Sequence, residues 1–333
     1  MKKVYKQKVL IFFTLILSAV LLIACGSSDK GENKGKELKS ADDVSSNSPY
    51  SKGLEKYYEE LKEETDGEIN IKHFPDGQIG DKNEIIEGVK IGTTEFGMVG
   101  SLPDAPATEA MSLPYLFEDS DHMHKVMDGK IGEKLIDQIE EDAGVKVVGY
   151  VYFAPRHLTT KKTKVETPED LKGLKIRVPD NKISIETWEA LGASPSPIAF
   201  TEVFSGLQQG VIDGQENPYD LIRSSSFYEV QDYLIETNHA MPLRWLIMNE
   251  KYYDSLSEDE QSLIENKWEE HALKIEEAYK DELEEDKQKL LDEGMELIEA
   301  DEEAFMKATK DVWKDIAPEA FGEGVYEEIQ DLR

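Results

Sequence analysis

Positive charge is scarce in this chain of 333 residues: 38 Lys+Arg stand against 70 Asp+Glu, for a net charge of −32. Nothing on such a surface neutralises phosphates, which excludes general nucleic-acid binding. The same field repels anionic ligands unless a local positive site captures them, so an arginine placed on a strand is worth following. Cysteine is nearly absent, with Cys25 the single one, and no internal disulfide can form. The chain also lacks a Gly-x-Ser-x-Gly elbow, a His-Glu-x-x-His helix, a phosphate loop and a Gly-x-Gly-x-x-Gly fingerprint, so no catalytic residue and no cofactor is expected. Of six histidines only His122 and His124 lie close together, in "FEDSDHMHKVMDG", which reads as a capped, partly exposed helix rather than a metal site.

Long apolar runs are missing beyond the N-terminus. Val9–Ala24 is nearly all apolar, short, and preceded by four lysines without an acid, which reads as a secretory signal over residues 1–24. It ends in "LIAC", similar to the bacterial lipobox, where cleavage before Cys25 leaves a lipid-modified N-terminus. Residues 25–36 are small, polar and glycine-rich and read as a flexible tether. The expected location is the cell envelope, outside the cytoplasm, anchored to the membrane by lipid.

From Glu37 the pattern is α/β. Leu54, Tyr57, Tyr58 and Leu61 fall at helical spacing up to Gly67, "EINIKHF" alternates as a strand, "DKNEIIEGVKIG" is helical, and "EFGMVG" is a short strand. Glu84–Glu95 and Glu202–Asp213 share Glu, Gly and Gly at matching offsets with a closing acid, so the chain is expected to hold two similar lobes with a cleft between them. Helical spacing from the cap candidate Ser257 to about Leu291 predicts one long helix laid across both lobes. "EEAFMKATKDVWKDIA" predicts one further packed helix, with Phe305 and Trp313 in the core. Lobe 1 is expected over 37–154 plus about 243–283, and lobe 2 over 155–242 plus about 284–333.

In "LKIRVPD", Leu174, Ile176 and Val178 alternate inward, which sets Arg177 on the other face, and Pro179 ends the ladder. Ligands of open α/β sheets bind beyond the carboxyl ends of strands, and a guanidinium fork matches a carboxylate with two parallel hydrogen bonds.

From about Leu38 to His239 the chain resembles the DctP-type substrate-binding proteins of tripartite ATP-independent periplasmic (TRAP) transporters. The resemblance rests on "FPDGQIG", "LPYLFEDSDH", "PRHLTTKKTKVETPEDLKGLKIRVPDN", "WEALGASPSPIAFTEVFSGLQQGVIDGQENP" and "SFYEVQDYLIETNH", in that order. It implies a periplasmic-binding-protein-like fold whose lobes are bridged by a long helix. It also implies that Arg177 clamps a substrate carboxylate and that Arg156 adds a second positive group. Asn217 would hydrogen-bond polar substrate groups, Glu216 and His239 would form a charged network with Arg156, and Phe200 would pack on the carbon skeleton. The first strand and loop, "ELKSADDVSSNSPYS", resemble the family weakly; Asn47 is a candidate contact there, and His73 is better read as core or surface than as a contact. The implied function is an extracytoplasmic receptor that delivers an organic acid, either a dicarboxylate or a sugar acid, to a TRAP permease. A receptor serving a signalling system, or a sugar-acid enzyme of the envelope, are the alternatives.

Overall fold

The computed structural model describes residues 37–333 apart from Phe153. The signal, the lipobox with Cys25 and the tether lie outside the described residues. Strands β1 (Glu37–Asp42), β2 (Asn70–Phe74), β3 (Phe96–Val99) and β4 (Lys146–Tyr152) lie in one sheet, and β5 (His157–Thr160), β6 (Lys175–Val178), β7 (Ser194–Pro197), β8 (Gly214–Asn217) and β9 (Tyr233–Glu236) lie in a second. The chain then returns: β10 (Leu243–Met248) inserts into the first sheet and β11 (Glu296–Glu299) joins the edge of the second.

The sheet orders are β2-β1-β3-β10-β4 and β11-β9-β5-β8-β6-β7. Each has three parallel strands on one side, β2-β1-β3 or β7-β6-β8, followed by one antiparallel strand, β10 or β5. The likeness reaches single hydrogen bonds. Helix Lys82–Ile91 ends on Gly92 at φ 75° and helix Val203–Gln209 ends on Gly210 at φ 69°, left-handed caps that glycine adopts without strain. Four residues after each cap the next strand begins. The closing acid does the same work twice: Glu95 accepts from the Lys39 N–H at 2.8 Å, and Asp213 accepts from the Lys175 N–H at 2.9 Å. The shared Glu, Gly and acid of the two segments thus mark two copies of one β-α-β-α-β unit.

Helix Glu258–Asp292 opens with a Ser257–Glu260 capping box and joins the lobes. Its Ile264, Trp268, Ile275 and Tyr279 belong to the core of the first sheet, Leu290 to a cluster under the second, and Leu283 packs against both. Glycines admit this helix: a Cβ at Gly149 on β4 would overlap the Trp268 ring, and one at Gly53 would overlap Ile275.

Two expectations are corrected at the C-terminus. The stretch "EEAFMKATKDVWKDIA" falls in two helices, Glu302–Thr309 and Trp313–Phe321, not one. The first puts Phe305 into the core of the second sheet, but the chain then crosses back. Ile316, Ala317, Ala320, Phe321 and Ile329 pack with the first sheet's core, His122 Nε2 lies 2.8 Å from the Ile329 carbonyl, and Gln330 donates to the Leu116 carbonyl at 2.9 Å. Residues from Trp313 onward therefore pack with lobe 1, because their apolar face has its matching groove there. Trp313 is only partly buried, stacked on Tyr326 with ring centroids 4.2 Å apart.

Gly149→Ala is expected to cost about 1–3 kcal/mol, the usual range for overpacking a dense contact. Urea unfolding should show a lower midpoint with an unchanged slope; an unchanged midpoint would contradict the close helix–sheet contact.

Candidate functional site

The carboxyl end of β6 opens onto a cavity of about 240 Å³ between the lobes. Ile176 and Val178 are fully buried in the core of the second sheet, whereas Leu174, expected in the same inward row, precedes the strand and is half-buried. Arg177 lines the cavity but is only 4 % exposed, so the strand is covered on both faces. Its Nε donates to the Ile198 carbonyl at 2.9 Å, and its guanidinium lies 5.7 Å from the Phe200 ring centre. No carboxylate pairs with it among the described residues. Burial pushes the Arg177 guanidinium down to about 10, with Glu216 pulling it up and Arg156 pushing it further down. A guanidinium held by one backbone carbonyl and one aromatic face keeps its remaining N–H groups for a partner.

Behind it stands a closed polar network. Arg156 Nε and Nη2 donate to the two Glu216 carboxylate oxygens at 2.5 and 2.9 Å, and Nη2 also reaches Asn217 Oδ1 at 3.0 Å. His239 Nε2 lies 3.0 Å from Glu216 Oε2 and its Nδ1 lies 2.8 Å from the Thr237 hydroxyl. Burial alone would raise the Glu216 carboxyl, but Arg156 and His239 outweigh it and hold it at about 2. An ionised carboxylate only accepts, so His239 donates through Nε2. Trp188 sets its edge against the His239 ring at 5.2 Å. The segment carrying His239 is propped from the other lobe: the Tyr115 N–H donates to the His239 carbonyl and its hydroxyl to the Thr237 carbonyl, each at 3.0 Å.

The structure thus gathers Arg156, Arg177, Phe200, Glu216, Asn217 and His239 around one cavity. Asn217 has less freedom than its extended setting suggested, since its Oδ1 takes the Arg156 donor and its Nδ2 donates to Gln215. Asn47 is exposed and lies outside the lining; Asp43, four residues earlier, lines it instead. His73 is bound to Ser40 and Asp42, each at 3.1 Å, as a core group. His122 and His124 serve separate partners, the Ile329 carbonyl and Glu276.

Sequence reasoning missed the wall supplied by lobe 1. Arg244 on β10 lines the cavity, 5 % exposed, and donates to Asp43 at 3.2 Å and to the Met98 carbonyl at 3.0 Å. A charge inside the apolar run "LRWLIM" was a readable signal for it. Lys82 opens the helix behind "FPDGQIG" and donates to Ser101 at 3.1 Å; burial pushes its ammonium down, while Glu109, Asp43 and Asp180 pull it up. Nothing local in the sequence marks Lys82.

Two α/β lobes, joined by three crossings and a long helix, enclose a cavity of a size for a small solute rather than a surface for a macromolecule. Residues 40–319 match the family described as bacterial extracellular solute-binding protein, family 7, and the chain belongs to that family. A solute-binding protein of Roseobacter denitrificans is 36% identical over 302 residues, 89% of this chain and 91% of its own. The 2,3-diketo-L-gulonate-binding periplasmic protein of Escherichia coli is 38% identical over 218 residues, 64% of this chain and 66% of its own. The crystal structure of a TRAP periplasmic solute-binding protein from Roseobacter denitrificans with bound L-galactonate superposes with a TM-score of 0.83 at 34% identity, covering 89% of this chain and 98% of that one. One from Citrobacter koseri with bound D-glucuronate gives 0.84 at 32% identity, covering 90% and 100%. The protein is an extracytoplasmic solute receptor of the TRAP type.

Glu216→Gln should leave Arg156 buried without its counter-charge and cost about 3–5 kcal/mol at neutral pH. With a folded value of about 2 against about 4.3 unfolded, Glu216 stabilises the parent fully above pH ~4.3, and that contribution is lost as pH falls toward 2. Urea unfolding from pH 7 to 2 should therefore show a shallower acid loss in the variant; parallel curves would contradict the ion pair.

Proposed function

We propose that the receptor binds an organic acid whose carboxylate docks on Arg177, and hands it to a TRAP permease in the membrane. The observation that carries this is the buried Arg177 fork, which faces the cavity with no acidic partner among the described residues while its neighbour Arg156 is matched by Glu216. Burial makes such a cation costly to keep unless an anion fills its place. The sugar acids held by the similar structures, L-galactonate and D-glucuronate, support a hydroxylated acid. Phe200 covers the carbon skeleton, and Asn217 stands behind the arginines. Glu216, paired with Arg156, is held ionised and serves as its fixed counter-charge. Binding energy closes the lobes, and the closed form is the one the permease recognises.

Thermal-shift screening against organic acids tests the reading, since a ligand that binds only the folded state raises the melting temperature. On the best ligand, Arg177→Lys keeps the charge but loses the planar fork, and calorimetry should show affinity down by about 2–5 kcal/mol at both low and high salt. A loss confined to low salt would mean that Arg177 only steers anions from a distance.

The proposed location rests on "LIAC": cleavage before Cys25 and lipid attachment would tether the receptor to the membrane outside the cytoplasm. Cys25→Ser should release it from membranes or leave it unprocessed, with ligand binding intact. A correctly cleaved variant that still sediments with membranes would argue against the anchor.

A further inference from the structure

We propose that the cleft selects acids with a single carboxylate and several hydroxyls over diacids, and that Asp43 and Asp180 make the choice. This rests on the organic-acid reading of the same cleft. Four carboxylates and four cations line the cavity, so the lining is neutral as a whole. Most of these charges are already committed. Arg156 is matched by Glu216, and Arg244 donates to Asp43 Oδ1. Asp81 spends its carboxylate on the N–H groups of Asn83 and Glu84 at the start of a helix.

Three groups remain: Arg177 from lobe 2, Lys82 from lobe 1, and Asp180, which has no hydrogen-bond or ion-pair partner among the described residues. Arg177 accounts for one ligand carboxylate. Lys82 is the group that would invite a second. Asp43, Asp180 and Glu109 act on its charge against one further cation, Arg177, so acids outnumber cations around its ammonium. A second carboxylate brought to that wall gains one lysine and meets the carboxylates around it. In a cavity where a bound ligand displaces water, like charges repel more strongly than in bulk solvent.

Hydroxyl groups reverse the balance. Ionised carboxylates accept hydrogen bonds and cannot donate, so Asp43 Oδ2 and both Asp180 oxygens call for O–H donors. The Lys82 ammonium, with one proton on Ser101, has others to give to hydroxyl oxygens of the same ligand. A chain with a carboxylate at one end and hydroxyls along its length meets every one of these groups, and a diacid of the same length does not.

Calorimetry with two matched pairs tests this: D-glucuronate against D-glucarate, and L-galactonate against galactarate, each pair differing by oxidation of one end to a second carboxylate. The parent should bind the better monoacid roughly 100-fold or more above its diacid, the equivalent of about 2.7 kcal/mol. Asp180→Asn and Asp43→Asn should each narrow that ratio by about tenfold, mainly by admitting the diacid. A parent that binds diacid and monoacid equally overturns the selection, and an unchanged ratio in the variants overturns the assignment to Asp43 and Asp180. Asp180 is exposed, so its variant reports even if Asp43→Asn, which alters the Arg244 contact, fails to fold. If none of the four acids binds while another organic acid raises the melting temperature, this inference fails and the organic-acid reading stands. If no organic acid raises it, both fail.

Discussion

A buried guanidinium that meets no carboxylate among the described residues is the constraint around which the rest of this molecule is arranged. Arg177 sits buried near the end of its strand, held among the described residues by the Ile198 carbonyl and the Phe200 ring. Removing such a charge from water costs several kcal/mol unless something compensates it. The neighbouring Arg156, Glu216 and His239 do not compensate it directly, because they are satisfied among themselves. What they supply is rigidity and a fixed background field: an ionised Glu216 close enough to steady Arg177, yet already engaged by Arg156 and His239. The unsatisfied fork is then a preorganised half of an ion pair, and the solute brings the other half.

The two-lobed frame explains where that fork can be placed. Both lobes carry the same β-α-β-α-β unit, locked by the same acid-to-backbone bond, Glu95 on Lys39 and Asp213 on Lys175. Counting from those lysines, Arg177 stands where lobe 1 has Ala41, so the repeat gives one lobe the cation and the other a small residue. Lobe 1 answers with Arg244 paired to Asp43 and with Lys82 held on the Ser101 hydroxyl, across the cavity from Arg177. The helix Glu258–Asp292, wedged against Gly53 and Gly149, and the C-terminal segment that crosses back onto lobe 1, tie the halves into one body while leaving the cavity between them.

Much of this was legible in the sequence where the signal is local. Helical spacing, the Ser257 cap, the glycine-ended repeat and the strand around Arg177 are set by neighbours a few residues apart, and the structure has them. The family segments run in order along the chain, so Arg156, Phe200, Glu216, Asn217 and His239 could be named together. Composition fixed the chemistry of the surroundings: an acidic body in which a cation must have a reason.

Only the tertiary structure decided what depends on distant residues meeting. Asp43, Lys82, Asp180 and Arg244 sit in four separate segments, and no local pattern says that they share one cavity. The break at Lys310–Val312 and the return of the C-terminus to lobe 1 follow from which groove fits Ile316 and Phe321, a property of packing rather than of periodicity. Whether a charge is matched is likewise a matter of which side chains lie within about 4 Å across the fold. The family resemblance could therefore pair Arg156 with Glu216 and His239 and offer Arg177 to a carboxylate, but only the fold shows that Arg177 meets no acidic partner among the described residues.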